Sequence, residues 1–350
     1  MNKWVKRTLW MAGLLVLLFV GTAAGYGAYL TDKVRDSANE SHEALDRGGK
    51  SDKRQTEITP GEDHLSVLFV GIDASESRTE DNEDRNNLSD ALVLATFNDD
   101  DKSVQLLSIP RDTYTYIPEV DRKEKITHAH AYGGIDSTVE TVEGLLDVPV
   151  DYYVRLNFNS FIEVVNAVGG VKYDVPFDLK EKNSNDKFQA IQLEEGRQLL
   201  NGEEALALAR TRTDSDIERG QRQMELIKAI AREVSSFSSF RNYDDIIDAV
   251  GDDMTTNMDF DQMITFKDYF LQEGGFSFDT MQLEGEGGFF REGEDRVWRY
   301  MVNEENLYEI QTDLRAHLDL PETEKDSENS WNEDENDFAQ EDEENEESSW

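Results

Sequence analysis

The chain has 350 residues, 35 Lys+Arg against 76 Asp+Glu, a formal net charge of −41 and no cysteine. That charge argues against a duplex-DNA or RNA binder, whose affinity comes chiefly from neutralising phosphates with basic residues, and the missing cysteine excludes disulfide scaffolds and cysteine nucleophiles. Hydrophobic residues at 37% and aromatics at 10% suffice for one substantial core in one or two domains.

Residues 1–8 form a short basic start (Lys3, Lys6, Arg7), followed at Leu9 to Leu30 by 22 consecutive uncharged positions. At about 1.5 Å per residue this stretch crosses a hydrocarbon core of about 30 Å, which predicts one N-terminal transmembrane helix over 9–30. Trp4, Trp10, Tyr26 and Tyr29 suit its two interfaces. The positive-inside bias puts residues 1–8 in the cytoplasm and everything after Thr31 outside, a single-pass protein of the cell membrane. Ala23 and Ala24 favour the competing reading, a cleaved signal peptide, yet the apolar stretch exceeds the roughly 7–15 residues of a signal core. Residues 31–63 are polar with few large apolar side chains, so composition predicts a stalk.

The body spans 64–318. Leu65 to Ile72, Ala91 to Phe97 and Ser103 to Ile109 are short apolar runs bounded by turn residues, hence strands. The last two, separated by Asn98 to Lys102, are expected to pair as an antiparallel hairpin. Near-continuous apolar strands imply a sheet covered on both faces. Ser137 to Leu146, Ser160 to Val168, Gly202 to Ala209, Ser215 to Val234 and Glu304 to Leu318 show helical spacing or stop signals. The expected fold class is therefore α/β (α+β), a mixed central sheet with helices on both faces rather than a doubly wound parallel sheet. The tail, 319–350, holds fourteen Asp/Glu against Lys325 after Leu320, which predicts disorder. The other −28 charges fit adaptation to high salt or to an alkaline surface.

Three constellations carry chemistry. Asp73 directly follows the first strand and Asp90 directly precedes the second. If those strands pair antiparallel, the two carboxylates converge on one sheet edge as hard oxygen ligands of the kind Mg²⁺ prefers, the alternative being ordinary turn aspartates. In Ser108-Ile-Pro-Arg-Asp112, Pro110 ends a strand where Arg111 emerges, which holds the guanidinium at that edge; a surface pair of Arg111 with Asp112 is the plainer reading.

The third lies at residues 209–223, where Arg210, Arg212, Arg219 and Arg222 fall within thirteen residues. Ser215 with Glu218 forms a capping box, so a helix starts there, with Ile217, Met224, Ile227, Ala231 and Val234 as its buried stripe and Arg219, Arg222, Gln223 and Leu226 on another face. Arginine forks near a helix start suit phosphate or pyrophosphate; pairing with Asp214, Asp216 and Glu218 is the equally weighted alternative. His128 and His130 lack a third metal ligand at suggestive spacing, and Gly285 to Gly288 is expected to be a turn. No nucleophile elbow, phosphate-binding loop, dinucleotide fingerprint or zincin motif occurs.

Taken in order, the short start and single span, Gly71-Ile-Asp73, Ser89-Asp90, Ser108-Ile-Pro-Arg-Asp112, His130-Ala-Tyr-Gly-Gly134, Asn166-Ala-Val-Gly-Gly-Val171 and Arg210-Thr-Arg212 with Asp216, Arg219, Arg222 and Gln223 resemble the LytR–CpsA–Psr family. The resemblance runs from the anchor to about Leu318. It implies an extracytoplasmic phosphotransferase of Gram-positive bacteria that moves an anionic glycopolymer, such as wall teichoic acid, from a polyprenyl-pyrophosphate carrier to peptidoglycan. It further implies that Asp73 and Asp90 hold Mg²⁺, that Arg111, Arg210, Arg212, Arg219 and Gln223 grip the pyrophosphate, and that Asp90, Arg111 and Arg212 are catalytic. An apolar groove between sheet and helices would take the prenyl tail. The family usually has Arg-Ser-Asp where this chain has Leu88-Ser89-Asp90; either Arg78 or Arg85 supplies the missing guanidinium, or this member has weaker activity or another donor. The alternatives are a non-catalytic envelope protein that binds lipid-linked polymer, and a pyrophosphatase using water as acceptor.

Overall fold

The computed structural model describes residues 41–72, 88–213, 215–236, 254–259, 261–263, 265, 277–292 and 295–321. The expected membrane span 9–30, Asp73, Arg78, Arg85 and the acidic run 322–350 lie outside the described residues.

Strands β1 (Leu65–Ile72), β2 (Ser89–Asn98) and β3 (Ser103–Ile109) form the antiparallel centre of a six-stranded sheet. On one side β1 pairs parallel with the fourth strand, Tyr152–Leu156, whose far edge pairs antiparallel with Met254–Thr256. On the other side β3 pairs parallel with Ser277–Gln282. The remaining elements, numbered in chain order, are β4 (Tyr114–Ile117), β5 (Arg122–Lys125), α1 (Thr127–Leu146), β6 (that fourth strand), α2 (Phe158–Ala167), β7 (Val171–Val175), β8 (Leu179–Glu181), β9 (Ile191–Leu193), β10 (Gly196–Leu200), α3 (Gly202–Arg210), α4 (Asp216–Ser236), β11 (Met254–Thr256), β12 (Ser277–Gln282), β13 (Gly285–Glu292), β14 (Asp295–Val302) and α5 (Glu304–His317). The sheet order is β11-β6-β1-β2-β3-β12, mixed as expected, and β1, β3, β6 and β12 end at the same edge.

Alternation along the strands divides the core into two layers. Leu68, Val70, Leu92, Leu94, Leu107 and Ile109 pack with Ile135, Val139 and Val142 of α1 and Ile310 and Leu314 of α5. Val67, Val93, Ala95, Val104 and Leu106 face the other way, toward Met224 and Ile227 of α4. Helices therefore cover both faces. A third cluster (Val165, Val171, Leu200, Leu208, Leu226, Ala229) joins α2, β7, β10 and α3 to the opposite side of α4. Buried on two sides, α4 departs from the expected single stripe: Leu226, Arg219 and Arg222, assigned to another face, are also buried.

Three further departures have physical causes. The stretch labelled α1 is two helices that meet at a kink, where Gly133 and Gly134 leave helical backbone angles (Gly134 φ 62°): the expected helix Ser137–Leu146 lies in the second, and a short helix from Thr127 that the spacing did not predict precedes it. The glycine run 285–288 is strand, not turn: a Cβ at Gly285 would stand 2.2 Å from the Met301 carbonyl oxygen, so the ribbon β13–β14 requires bare backbone there. The segment 41–63 differs from a free stalk. Leu45 is in the core, Arg47 pairs with Glu143 at 2.6 Å, and Arg54 grips both oxygens of Asp151 at 3.0 and 2.7 Å. Charge pairing, which composition hides, fixes this segment to α1 and to the entry of β6.

Candidate functional site

The edge where β1, β3, β6 and β12 end collects the residues singled out by sequence. Between β1 and β2 the register shifts: Gly71 faces Ala91, but Ile72 faces Ser89, so Asp90 is the extra residue of a β-bulge. A bulge re-aims a side chain that regular alternation would send into the core. Asp90 Oδ1 accepts from Arg111 Nη1 at 2.6 Å.

Arg111 rides on a turn held at every carbonyl. Pro110 O accepts from Thr113 N at 3.0 Å, Arg111 O from Thr127 N at 3.1 Å, Asp112 O from Tyr300 N at 2.9 Å and Thr113 O from Ile126 N at 2.8 Å. The Thr127 hydroxyl donates to Ser89 O at 2.8 Å, which ties the first turn of α1 to the start of β2. Asp112 takes Lys125 Nζ at 3.1 Å and lies 3.9 Å from Arg111 Nε. The plain reading of an Arg111–Asp112 surface pair is therefore incomplete, since the short contact of Arg111 is to Asp90.

The capping box is present: Glu218 N donates to Ser215 Oγ at 3.2 Å and Ser215 N to Glu218 Oε2 at 3.0 Å. The carboxylate of Glu218 is thus spent on the cap. The first turns of α4 lock onto the same sheet edge, since Gln282 Nε2 donates to Ile217 O and accepts, through Oε1, from Gln221 Nε2, each at 3.0 Å. Gly220 sits where a Cβ would be 2.3 Å from Ser108 Oγ, three residues before Arg111. Arg219, 7% exposed, belongs to this locked turn.

Arg210 and Arg212 flank the α3–α4 connection. The Arg210 guanidinium lies 4.5 Å from the Phe158 ring centroid, at the exit of β6, and 3.9 Å from Asp186. Arg212 is exposed and makes no ion pair among the described residues. Gln223 donates to Ala209 O at 3.3 Å, so its amide braces α3. Sequence reasoning underrated Arg222. Its guanidinium, buried between helices, donates to Leu208 O at 3.2 Å and Thr211 O at 2.9 Å, and so holds the turn that presents Arg210 and Arg212. The one available signal was its spacing, a turn from Arg219 on a helix with apolar residues on two sides.

A metal finds few ligands at this edge. Among the described residues no group of three or more His, Asp or Glu converges on one point. His128, half-buried, pairs with Glu124 at 3.4 Å while His130 is buried elsewhere on the helix, so the His-x-His motif does not converge. Asp90 retains one carboxylate oxygen without a partner among the described residues. That suits Mg²⁺, which takes one or two carboxylates and completes its shell with water and substrate phosphates.

A model of the LytR_cpsA_psr family matches residues 28–316. The polyisoprenyl-teichoic acid–peptidoglycan teichoic acid transferase TagT of Bacillus subtilis is 41% identical over 320 residues, covering 91% of this chain and 95% of that protein. A solved structure described as TagT bound to LIIa-WTA superposes with a TM-score of 0.69 at 40% identity, covering 80% of this chain and all of the other. A second, described as TagT with bound octaprenyl pyrophosphate lipid, gives a TM-score of 0.64 at 37% identity and again covers 80% of this chain.

Proposed function

The chain belongs to the LytR_cpsA_psr family, and from that premise we propose that it transfers an anionic glycopolymer of the teichoic acid kind from a polyprenyl-pyrophosphate carrier to peptidoglycan. The observation that carries the reading is the meeting of Asp90, Arg111 and the α4 N-terminal turn at one sheet edge, in a chain with more than twice as many acids as bases.

Phosphoryl transfer is catalysed mainly by positioning and by neutralising charge on the transferred and leaving phosphates. Arg111, held by its bonded turn, meets the phosphate being transferred. Arg219 meets the pyrophosphate from α4, and Arg210 and Arg212 meet it from the α3–α4 connection that Arg222 braces. Gln223 acts with them by fixing the end of α3. Incoming phosphate oxygens compete with Asp90 for Arg111 and so release that carboxylate. When bound, Mg²⁺ would be held by Asp90, with Asp73 following β1 in the chain, and would neutralise charge on the pyrophosphate. Leu88 precedes the bulge where the family usually has Arg, and the short Asp90–Arg111 bond forms with Leu88 in that place. Residues 9–30 anchor the chain in the cell membrane as a single pass, with the N-terminus cytoplasmic and residues 31 onward outside.

The test is direct. Full-length protein in detergent receives a polyprenyl-pyrophosphate-linked saccharide, Mg²⁺ and a peptidoglycan oligomer, and mass spectrometry looks for the phosphodiester-linked product. The expected result is an adduct lost on chelation. Release of saccharide phosphate into water with acceptor present would make the protein a pyrophosphatase, and tight donor binding without turnover would make it a binding protein.

A further inference from the structure

The ribbon β13–β14 presents a surface that the phosphate-handling residues do not use. Directly opposed residues of an antiparallel pair share a face. The register Phe289↔Trp298 and Arg291↔Arg296 therefore sets two aromatic rings and two guanidiniums together. Phe289 is 59% and Trp298 39% exposed, and the rings meet edge to face at 5.1 Å. The indole lies along the ribbon over Gly287, where a Cβ would be 2.4 Å from Trp298 Cζ2. Arg296 leans over the Phe289 ring at 5.8 Å. Arg291 opposite Arg296 is a like-charge pair that the ribbon forms at a cost. Neither arginine has an ion pair among the described residues.

The base of the ribbon is fixed to the candidate site. Tyr300, two residues from Trp298, donates its N–H to Asp112 O at 2.9 Å and bridges Thr113. Trp298 is thus roughly 7 Å along the strand from the residue bonded beside Arg111, at about 3.3 Å per residue, the scale of a saccharide unit. Val302 of the same strand packs on the α1/α5 side of the sheet, whereas Met224 of α4, the helix that carries Arg219 and Gln223, packs on the other. The ribbon reaches Arg111 from the side opposite the remaining arginines. An in-line displacement needs its acceptor on the far side of the transferred phosphate from the leaving group.

We infer that Trp298, Phe289 and Gly287 form a platform for the acceptor, a glycan strand of peptidoglycan, and that Arg291 and Arg296 meet the carboxylates of its stem peptides. A flat indole stacks on the apolar face of a pyranose while its edge stays wet, the amphipathic use to which Trp is suited. Over 285–302 three arginines stand against four acids, so the ribbon is close to neutral in a chain of net −41 and repels an anionic strand less than the chain as a whole, with Arg291 and Arg296 side by side on its aromatic face. The inference rests on the transferase reading above for the identity of the acceptor.

Calorimetric titration of full-length protein in detergent tests it, with uncrosslinked glycan oligomers bearing stem peptides in one arm and a prenyl pyrophosphate in the other. Trp298→Ala and Gly287→Ala, the latter tipping the indole off the ribbon, should each weaken glycan binding by about tenfold or more and leave prenyl pyrophosphate affinity within about twofold. Trp298→Phe, which keeps a ring, should lie between. Unchanged glycan affinity in well-folded Trp298→Ala and Gly287→Ala overturns the proposal, as does a loss confined to prenyl pyrophosphate, which would assign the platform to the donor. Wild type that binds glycan through Trp298 yet forms no transfer product sinks the transferase reading and leaves the platform standing.

Discussion

Around the α3–α4 connection, arginine does two different jobs, and single substitutions separate them. Arg222 is buried and spends its guanidinium on the carbonyls of Leu208 and Thr211. Arg222→Ala should lower stability by about 2–3 kcal/mol through lost charge-assisted hydrogen bonds, seen as an earlier denaturation midpoint. Arg212 is exposed, so Arg212→Ala should leave that midpoint nearly unchanged while cutting transfer about a hundredfold. Equal effects on stability from both would contradict this division.

A second residue-scale prediction concerns His317, whose ring nitrogens lie 2.8 Å from the hydroxyls of Thr96 and Ser103. Burial holds its pKa below the ordinary 6.5, and electrostatic interaction with His64 acts the same way, against Asp101 and Asp279. A base whose folded pKa is depressed contributes stability above its unfolded pKa and loses it as the pH falls through the folded value. Thermal midpoints should therefore drop below pH 6.5, and His317→Gln should flatten that part of the profile. An identical slope in the variant would remove His317 from the account.

At the scale of elements, α4 connects the two halves of the site, and Gly220 is its closest approach to β3. Gly220→Ala would drive a methyl into Ser108 and should cost about 1–3 kcal/mol together with most of the transfer activity. Adding Ser108→Gly makes room and should recover much of both; a double variant no better than the single would point away from steric contact. The strands and helices that place these residues were legible because apolar runs, caps and stop signals are local: β1 and β3 have the expected bounds, and the Ser215–Glu218 cap starts α4 as expected. The bulge at Asp90 was not, because a register shift is a property of two strands together. The burial of Arg219 and Arg222 escaped for a similar reason, since only the packing of α2, β7, β10 and α3 onto α4 gives that helix a second buried face. The glycines of β13 look like turn signals until their cross-strand neighbours are known.

At the scale of the whole molecule, the folded body begins well before residue 64. Glu143 takes Arg47 and Ser51, at 2.6 and 2.7 Å, and Asp151 takes Arg54, inside a surface where those carboxylates are nearly inaccessible. A chain truncated at residue 64 strips both arginines away and leaves two buried carboxylates with neutral donors only, Val150 N–H on Glu143 and the Ser66 N–H and hydroxyl on Asp151. It should lose about 3 kcal/mol or more and express poorly, whereas one starting at residue 41 should melt cooperatively.

Charge over the whole chain bears on the proposed function: with −41 overall, an anionic donor depends on the arginines at the sheet edge. The most direct measurement is the initial rate of transfer from a polyprenyl-pyrophosphate-linked saccharide to peptidoglycan oligomer, at saturating Mg²⁺, for wild type and Arg111→Ala matched for thermal midpoint. A loss of about a hundredfold or more in the variant is the predicted result. A rate close to wild type would show that the Asp90–Arg111 edge is not where the phosphate is transferred.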